Sequence, residues 1–433
     1  MKAWNCTASA TTPSSTEPGP NAVQVAGGLK AQLVSDKVGE NADMIALWPD
    51  DAHPTHAIFC NEIDGTVAGA PATVQRVQLS NGQVSDMVFG NISCDPAHRT
   101  DWGTIIFGEE AGTSGRVYEI LDPLAVNNVT IDRATGATSD PTHVVARTAL
   151  GQVSYEGIVL LPDGTTYYGD ELRPSNGKAG GGIYKFVPTT KRDPHAGPIT
   201  SLDQSPLVAG SIYFLRIGIR NGGTDFGQGS NIGAGKWIGP IAAGNLAANA
   251  IAMGGYTGYY RPEDMDLDPL AWSKGQVRFC WTNTGIDTGA NWGEVLCAAD
   301  ESTTDATFLT GTKPVVSPFV IGNPSLRMPD NIDFQPGTGI LYVLMDATTS
   351  AENPSFSNDD VWACLPDGAD SDVLSDGCVR VMTLEDGNAE FTGIQFLADG
   401  KSFLIDLQHR TQDGRAIPHT TDMLLVQGLE VDG

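Results

Sequence analysis

Residues 158–171, IVLLPDGTTYYGDE, decide how the chain is read. The apolar run from Ile158 to Leu161 meets a Pro-Asp-Gly turn. A second β-rich run, Thr165 to Gly169, then ends on the acids Asp170 and Glu171. Pro presets the turn backbone, Asp bonds its own loop and Gly accepts left-handed φ, so the pattern reads as a hairpin. The same order recurs in residues 55–62 (THAIFCNE), 101–110 (DWGTIIFGEE), 265–283 (MDLDPLAWSKGQVRFCWTN), 332–346 (IDFQPGTGILYVLMD) and 394–409 (IQFLADGKSFLIDLQH). One unit cannot bury both faces of a sheet alone, so six copies imply repeats closed around a shared core. The expected fold is all-β, a six-bladed β-propeller with long inter-strand loops; a two-sheet sandwich is the alternative.

The copies end at Glu62, Glu110, Glu171, Asn283, Asp346 and His409, in steps of 48, 61, 112, 63 and 63 residues. Blades take roughly 40–50 residues, so the step of 112 residues holds an insertion, expected around 190–260. Within it, residues 239–255 (GPIAAGNLAANAIAMGG) have the small-residue content of a short helix. Residues 1–21, rich in Ser, Thr and Pro, read as a flexible leader, and 22–433 as one domain. In a propeller, loops at one end of the central channel meet, so acids at corresponding points of the repeat converge.

With 25 basic and 52 acidic side chains the net charge is −27, which excludes nucleic acid as a default partner and opposes an anionic membrane surface. No run is long and apolar enough for a transmembrane helix. Seven cysteines, at 6, 60, 94, 280, 297, 364 and 378, include no C-x-x-C pair. Cys280 with Cys297 and Cys364 with Cys378 are expected disulfides, Cys6 with Cys60 could add a third, and Cys94 is then left over. Such pairing indicates an oxidising compartment, although a set of buried free thiols is the other reading.

There is no H-E-x-x-H, EF-hand loop or G-x-S-x-G elbow. Residues 233–236 imitate a phosphate loop, but Trp237 occupies the Ser/Thr position. The seven histidines show no metal spacing. What recurs is acid beside turns: Glu109-Glu110, Glu156, Asp170-Glu171, Glu263-Asp264 and Asp330-Asn331. Gathered at a channel mouth, these carboxylates need hard cations, and calcium, satisfied by six to eight oxygens, is the natural occupant. A thiolate from Cys94 in the same cluster would favour iron or another transition metal. Arg261, in Tyr259-Tyr260-Arg261-Pro262-Glu263-Asp264, could clamp two oxygens of a tetrahedral anion, or simply pair with a carboxylate.

These residues resemble the PhoX-type alkaline phosphatases, secreted bacterial phosphomonoesterases on a six-bladed propeller with a calcium and iron active site. The resemblance rests on Cys94-Asp95-Pro96 through Thr100-Asp101-Trp102-Gly103-Thr104 to Glu109-Glu110; Tyr155-Glu156-Gly157; Tyr168-Gly169-Asp170-Glu171 on to Val187; Arg261-Pro262-Glu263-Asp264; Pro329-Asp330-Asn331; and Thr392-Gly393 with Gln408-His409. It implies two irons and several calcium ions. Cys94 would be the iron-bound thiolate, with Glu156 and Glu263 as bridging or iron ligands. Glu109, Glu110, Asp170 and Glu171 would be calcium or mixed-site ligands, and Asp264 belongs to the same acid set. Arg261 would hold phosphate, and Asp330 and Asn331 would close the far side.

Departures mark a divergent branch: Asp101 stands before Trp102 where the family has Pro, and Arg410 follows His409 where it has Pro. The expected activity is phosphomonoester hydrolysis on small soluble esters, by a secreted or periplasmic monomer without nucleic-acid or membrane partners. Arg261, Glu263 and Glu156 would carry it, with no side-chain nucleophile. Two other readings use the same carboxylates: a calcium-stabilised extracellular binding or structural propeller, and another metal-dependent hydrolase such as a lactonase or phosphodiesterase.

Overall fold

The structure is a computed structural model, and it describes residues 22–430 apart from 175–179, 218–227, 287–290, 303–312, 348–358, 369–371, 373, 386–388, 410, 413–414 and 417–420. The leader 1–21, with Cys6, lies outside the described residues.

Each of the six sequence copies contributes an antiparallel strand pair. They are β1 (Ala42–Trp48) with β2 (His56–Asn61), β3 (Cys94–Arg99) with β4 (Thr104–Glu109), and β5 (Ile158–Leu160) with β6 (Thr166–Gly169). After the helix α1 (Leu246–Ala252), β7 (Pro262–Leu267) pairs with β8 (Gln276–Asn283), with the short helix α2 (Pro269–Ser273) between them. Then β9 (Pro329–Phe334) pairs with β10 (Leu341–Met345) and β11 (Glu390–Phe396) with β12 (Ser402–Gln408). The turns are built as their residues dictate. In the 158–171 stretch Gly164 takes φ +89°, its N–H donates to Leu161 O, and Asp163 Oδ1 accepts from Thr165 N at 2.8 Å. A side chain at Gly164 would also collide with Pro206.

The odd-numbered strands are sheet edges and line the axis: β11 lies against β1, β1 against β3, β5 against β7, β7 against β9, and β9 against β11. The arrangement is propeller-like, but six separate blades are not what strand pairing gives. The described strands form five sheets of four or more strands and one two-stranded hairpin. The copies at β5–β6 and β7–β8 share a single nine-stranded sheet, joined at its middle through Gly233↔Val316 and Ala234↔Val315. The long insertion is the cause: Gly233–Ile241 extends the third sheet outward until it reaches Val315–Ile321 of the next. The short helix read within residues 239–255 is α1.

Strands buried on both faces read as unbroken apolar runs. β4 is buried along its whole length, and between the first two sheets Phe107 stacks on Tyr118 at 5.2 Å amid Met87, Val88 and Ile105. Closure joins the two ends of the chain: Lys30–Val38 pairs with Thr421–Gln427, and Val23–Val25 with Cys378–Leu384. Among the described residues no helix is long and apolar enough to cross a membrane.

Disulfides join Cys280 to Cys297 and Cys364 to Cys378, as expected. The third joins Cys60 to Cys94, which excludes the Cys6–Cys60 pairing and leaves Cys94 no free thiol. The two sequence positions sit on neighbouring elements, Cys60 in β2 and Cys94 opening β3.

Candidate metal centre

One local device aims the acids. Asn41, Ser93, Arg261 and Met328 have φ of +54°, +39°, +59° and +46°, a region non-glycine residues rarely enter, and each immediately precedes an axial strand. The second residue of each strand is an acid: Asp43, Asp95, Glu263 and Asp330. A register irregularity follows at once, between Ala42 and Ile45, Cys94 and Ala97, Pro262 and Met265, and Pro329 and Ile332. The left-handed residue and the bulge together turn the acid toward the axis. Glu156, two residues before β5, and Glu390, the first residue of β11, complete the inner set. A second set comes from the ends of the even strands: Glu62 after β2, Glu110 after β4, Glu171 after β6, Asp346 after β10, and Gln408-His409 at the end of β12.

These residues enclose a cavity of about 240 Å³, whose wall holds eight carboxylates (Asp43, Glu62, Asp95, Glu110, Glu156, Asp330, Asp346 and Glu390) beside Arg261, Gln408 and His409. Four groups of three acids each bring oxygens within 4.8 Å of one another: Asp43, Glu62 and Asp95; Asp95, Glu110 and Glu156; Glu156, Glu263 and Asp330; Asp330, Asp346 and Glu390. Asp95, Glu156 and Asp330 are each shared by two groups, so the four form one continuous arc. Asp43 Oδ1, Asp95 Oδ1, Asp330 Oδ1 and Gln408 Oε1 are buried without a hydrogen-bond partner. A buried oxygen left unbonded is costly, and a cation satisfies several at once.

The electrostatics agree. Burial, then the charge of Glu171 and Glu62, pushes Glu110 up to about 9. Burial likewise raises Glu62 and Asp330 to about 7 each, Asp330 with help from Asp346. Glu156 is held well above the usual carboxylate range by burial and by Asp95 and Glu263. Bound cations would reverse these shifts by favouring the charged form.

Among the described residues Arg261 is the single guanidinium in the cavity wall. It pairs with Glu171, with Glu263 at 2.6 Å and with Asp346 at 3.0 Å. Burial alone would lower its pKa, but Glu263, Asp346 and Glu171 outweigh it and raise it. Its left-handed backbone is fixed by two hydrogen bonds, from its N–H to Leu172 O and to its carbonyl from Thr284 N. Such a conformation costs about 1–3 kcal/mol and persists where surroundings impose it. Thr284 Oγ1, just after β8, also donates to Glu263 Oε1 at 2.6 Å.

Of the residues expected from sequence, Glu110, Glu156, Glu171, Glu263, Asp330 and Arg261 gather here. Five do not. Cys94 is locked in the disulfide, so the expected thiolate ligand is corrected. Glu109 faces away from Glu110, as successive strand side chains must. It is paired with Arg133 at 3.1 Å and accepts from the backbone N–H of Ile92 and Arg116. Asp170 accepts from Ser154 N at 3.0 Å. Asp264 accepts from the N–H of Met265 and, across to β9, of Ile332. Asn331 Oδ1 accepts from Gly393 N on β11 at 3.1 Å, fastening strands rather than facing the cavity. The reading missed Asp43, Asp95 and Glu390 as ligand candidates, named Glu62 and Asp346 only as repeat ends, and named His409 as a repeat end and a resemblance segment but not as a site residue. A signal existed: Ala42-Asp43, Cys94-Asp95, Tyr155-Glu156, Pro262-Glu263, Pro329-Asp330 and Ala389-Glu390 all place one non-polar residue and one acid at or near the start of an axial strand.

Among solved structures, the chain is similar to Pseudomonas fluorescens PhoX in complex with vanadate, described as a transition state analogue, at 18% identity and TM-score 0.64 over 96% of this chain and 98% of that one. It is also similar to an aldose sugar dehydrogenase from Streptomyces coelicolor in its PQQ-bound form (13%, TM-score 0.46, 96% and 99%) and to a gluconolactonase from Xanthomonas campestris (11%, TM-score 0.45, 98% and 99%). No curated protein gave a significant match. The family model for alkaline phosphatase PhoX matches residues 61–411, a span that holds every cavity-lining residue named above except Asp43, and the chain belongs to that family.

Proposed function

We propose that this protein is a cation-dependent phosphomonoester hydrolase. The observation that carries the reading is the arc of buried carboxylates, several with unbonded oxygens, closing on one guanidinium. Family membership supports it, as does the fold shared with a PhoX that binds vanadate.

The donors fit hard cations. Asp43, Glu62, Asp95, Glu110, Glu156, Glu263, Asp330, Asp346 and Glu390 would hold them, and calcium is the proposed ion. When bound, such ions supply the positive charge that attracts a phosphate and lowers the pKa of a water beside it. The chain's own residues do the rest. Arg261 orients the ester by its planar fork and neutralises charge on the equatorial oxygens, which is most of what phosphoryl transfer needs. Glu171, Glu263 and Asp346 hold the guanidinium in place, so the clamp is set before substrate arrives. The cavity, about 240 Å³ and lined by charged and polar side chains, has room for a phosphate group. Three disulfides are consistent with work in an oxidising compartment. We propose a secreted or periplasmic monomer with one domain over residues 22–433.

One observation favours the binding or structural reading: Arg261 already has carboxylate partners, so its pairing needs no substrate. Turnover of p-nitrophenyl phosphate with added calcium separates the two. Wild type should hydrolyse it, and Arg261→Ala and Glu263→Ala should each abolish hydrolysis while remaining folded. Retained activity in either folded variant refutes the assignment; no turnover by calcium-loaded wild type favours structural cations.

A further inference from the structure

Further along the axial strands lies a second, smaller chamber of about 60 Å³, lined by β1, β3, β7, β9 and β11. Its polar wall is Asp264 and Asp266 of β7, Asp333 of β9, Gln395 of β11 and His98 of β3. Asp266 and Asp333 each stand three residues past a cavity acid, Glu263 and Asp330. Each reaches across to the next axial strand. Asp266 Oδ2 accepts from Phe334 N on β9 at 2.8 Å, and Asp333 Oδ2 accepts from Phe396 N on β11 at 2.6 Å. The two side chains are also hydrogen-bonded to each other. Two ionised carboxylates are acceptors only, so this bond requires a proton on one of them. Both oxygens of Asp266 already accept, Oδ1 from Leu267 N at 2.6 Å and Oδ2 from Phe334 N. Asp333 Oδ2 takes Phe396 N and, at 3.4 Å, Gln395 Nε2, which leaves Asp333 Oδ1 to carry the proton.

We propose that Asp333 and Asp266 form a one-proton clasp: through neutral pH Asp333 stays protonated and donates to the Asp266 carboxylate, tying β7, β9 and β11 together, and alkali opens the clasp by removing that proton. The proposal needs no bound cation and stands apart from the reading of the centre. Among the described residues no lysine or arginine lines the chamber to neutralise a second negative charge. His98 Nε2 has no hydrogen-bond partner, and burial pushes that imidazole down to about 4, so it brings no charge at neutral pH. Asp264 and Asp268 add negative charge, the latter paired with Arg278 of β8 at 2.6 Å. Across the ladders, Cys280 opposite Asp266 is in a disulfide, and Tyr342 opposite Asp333 has its phenol raised by burial. Burial, then the charge of Asp266, holds Asp333 well above the usual carboxylate range, while burial brings Asp266 to about 6. A folded pKa above the unfolded one gives stability that is whole below the unfolded pKa and is lost as pH climbs through the folded value.

The test is urea unfolding of wild type and Asp333→Asn from pH 4 to pH 8, with the infrared spectrum of each at pH 7. The amide of Asn donates to Asp266 without titrating, so the variant keeps the bond and loses the proton. The expected result is a protonated-carboxyl band in wild type that the variant lacks, and a folding constant of wild type relative to variant that falls by about tenfold per pH unit between pH 5 and pH 7, as one retained proton requires. Matching infrared spectra, or a ratio that does not move with pH, would overturn the clasp. Should Asp333→Asn fail to fold, a crystal structure of wild type at pH 6 decides. Carboxyl oxygens of Asp266 and Asp333 about 2.5–2.7 Å apart support the shared proton, and a wider gap or an ion between them overturns it.

Discussion

Stripping the cations should make this protein lose stability as pH rises, with a slope set by carboxylates that prefer to stay protonated when buried. Glu62 moves from 4.5 to about 7 and Asp330 from 3.8 to about 7. A group whose folded pKa is raised holds its proton in the folded state after the unfolded chain has released it. Stability is therefore highest near the unfolded pKa, about 4, and falls as pH climbs through the folded values. At about 1.4 kcal/mol per tenfold, Glu62 accounts for about 3 kcal/mol and Asp330 for about 4 kcal/mol above pH 7. The two share neighbours, so their penalties do not simply add, and about 4 kcal/mol is a working lower bound. Glu110, raised to about 9, extends the fall toward pH 9.

Unfolding entropy of about 2.1 cal/mol/K per residue gives roughly 0.9 kcal/mol/K for 433 residues. Between pH 5 and pH 8.5 the Asp330 penalty grows only over the two units from pH 5 to about 7, or about 3 kcal/mol, so Tm should fall by about 3 °C or more. The assay is thermal unfolding by circular dichroism in EGTA across that range, repeated with millimolar calcium. Calcium should remove most of the dependence, because bound ions favour the charged carboxylates. A Tm in EGTA that stays flat or rises toward pH 8.5, or one that calcium leaves unchanged, would show that these acids are not a shared cation shell.

Three further outcomes are expected. Arg261→Lys keeps the charge but loses the planar fork, so kcat/KM on p-nitrophenyl phosphate should fall by about 10²–10³ with little change in Tm; wild-type kinetics would remove Arg261 from the clamp. Asp264→Ala should leave the N–H groups of Met265 and Ile332 without their acceptor, costing about 2–3 kcal/mol in urea unfolding with bound calcium unchanged; loss of calcium at full stability would place Asp264 in the centre. Asp406 is fully buried, both its oxygens lack partners, and burial followed by Asp422 holds its pKa well above the usual range. Asp406→Asn should therefore be neutral or stabilising by about 1–2 kcal/mol at pH 8, and a marked fall in Tm there would reveal a partner for that carboxylate.

The sequence by itself determined what depends on neighbours along the chain. Alternating runs and tight turns specify hairpins locally, so four strand pairs were legible whole in stretches such as 158–171 and 332–346, and of the other two pairs the second strands, in 55–62 and 101–110; the acids or His409 that close five of the copies were legible with them. The disulfides Cys280–Cys297 and Cys364–Cys378 were legible for the same reason, since each bridges two paired strands. Tertiary structure alone decided which member of an acidic pair faces the axis. Glu109 and Glu110, or Glu263 and Asp264, are chemically alike, and only the pleat, the left-handed residue and the bulge separate a cavity ligand from a strand fastener. It also decided the partner of Cys94, because Cys60 reaches it through packing between β2 and β3, and the merging of two copies into one nine-stranded sheet, because an insertion grows outward until it meets a neighbour. These choices depend on contacts between segments far apart in the chain, and no local pattern carries them.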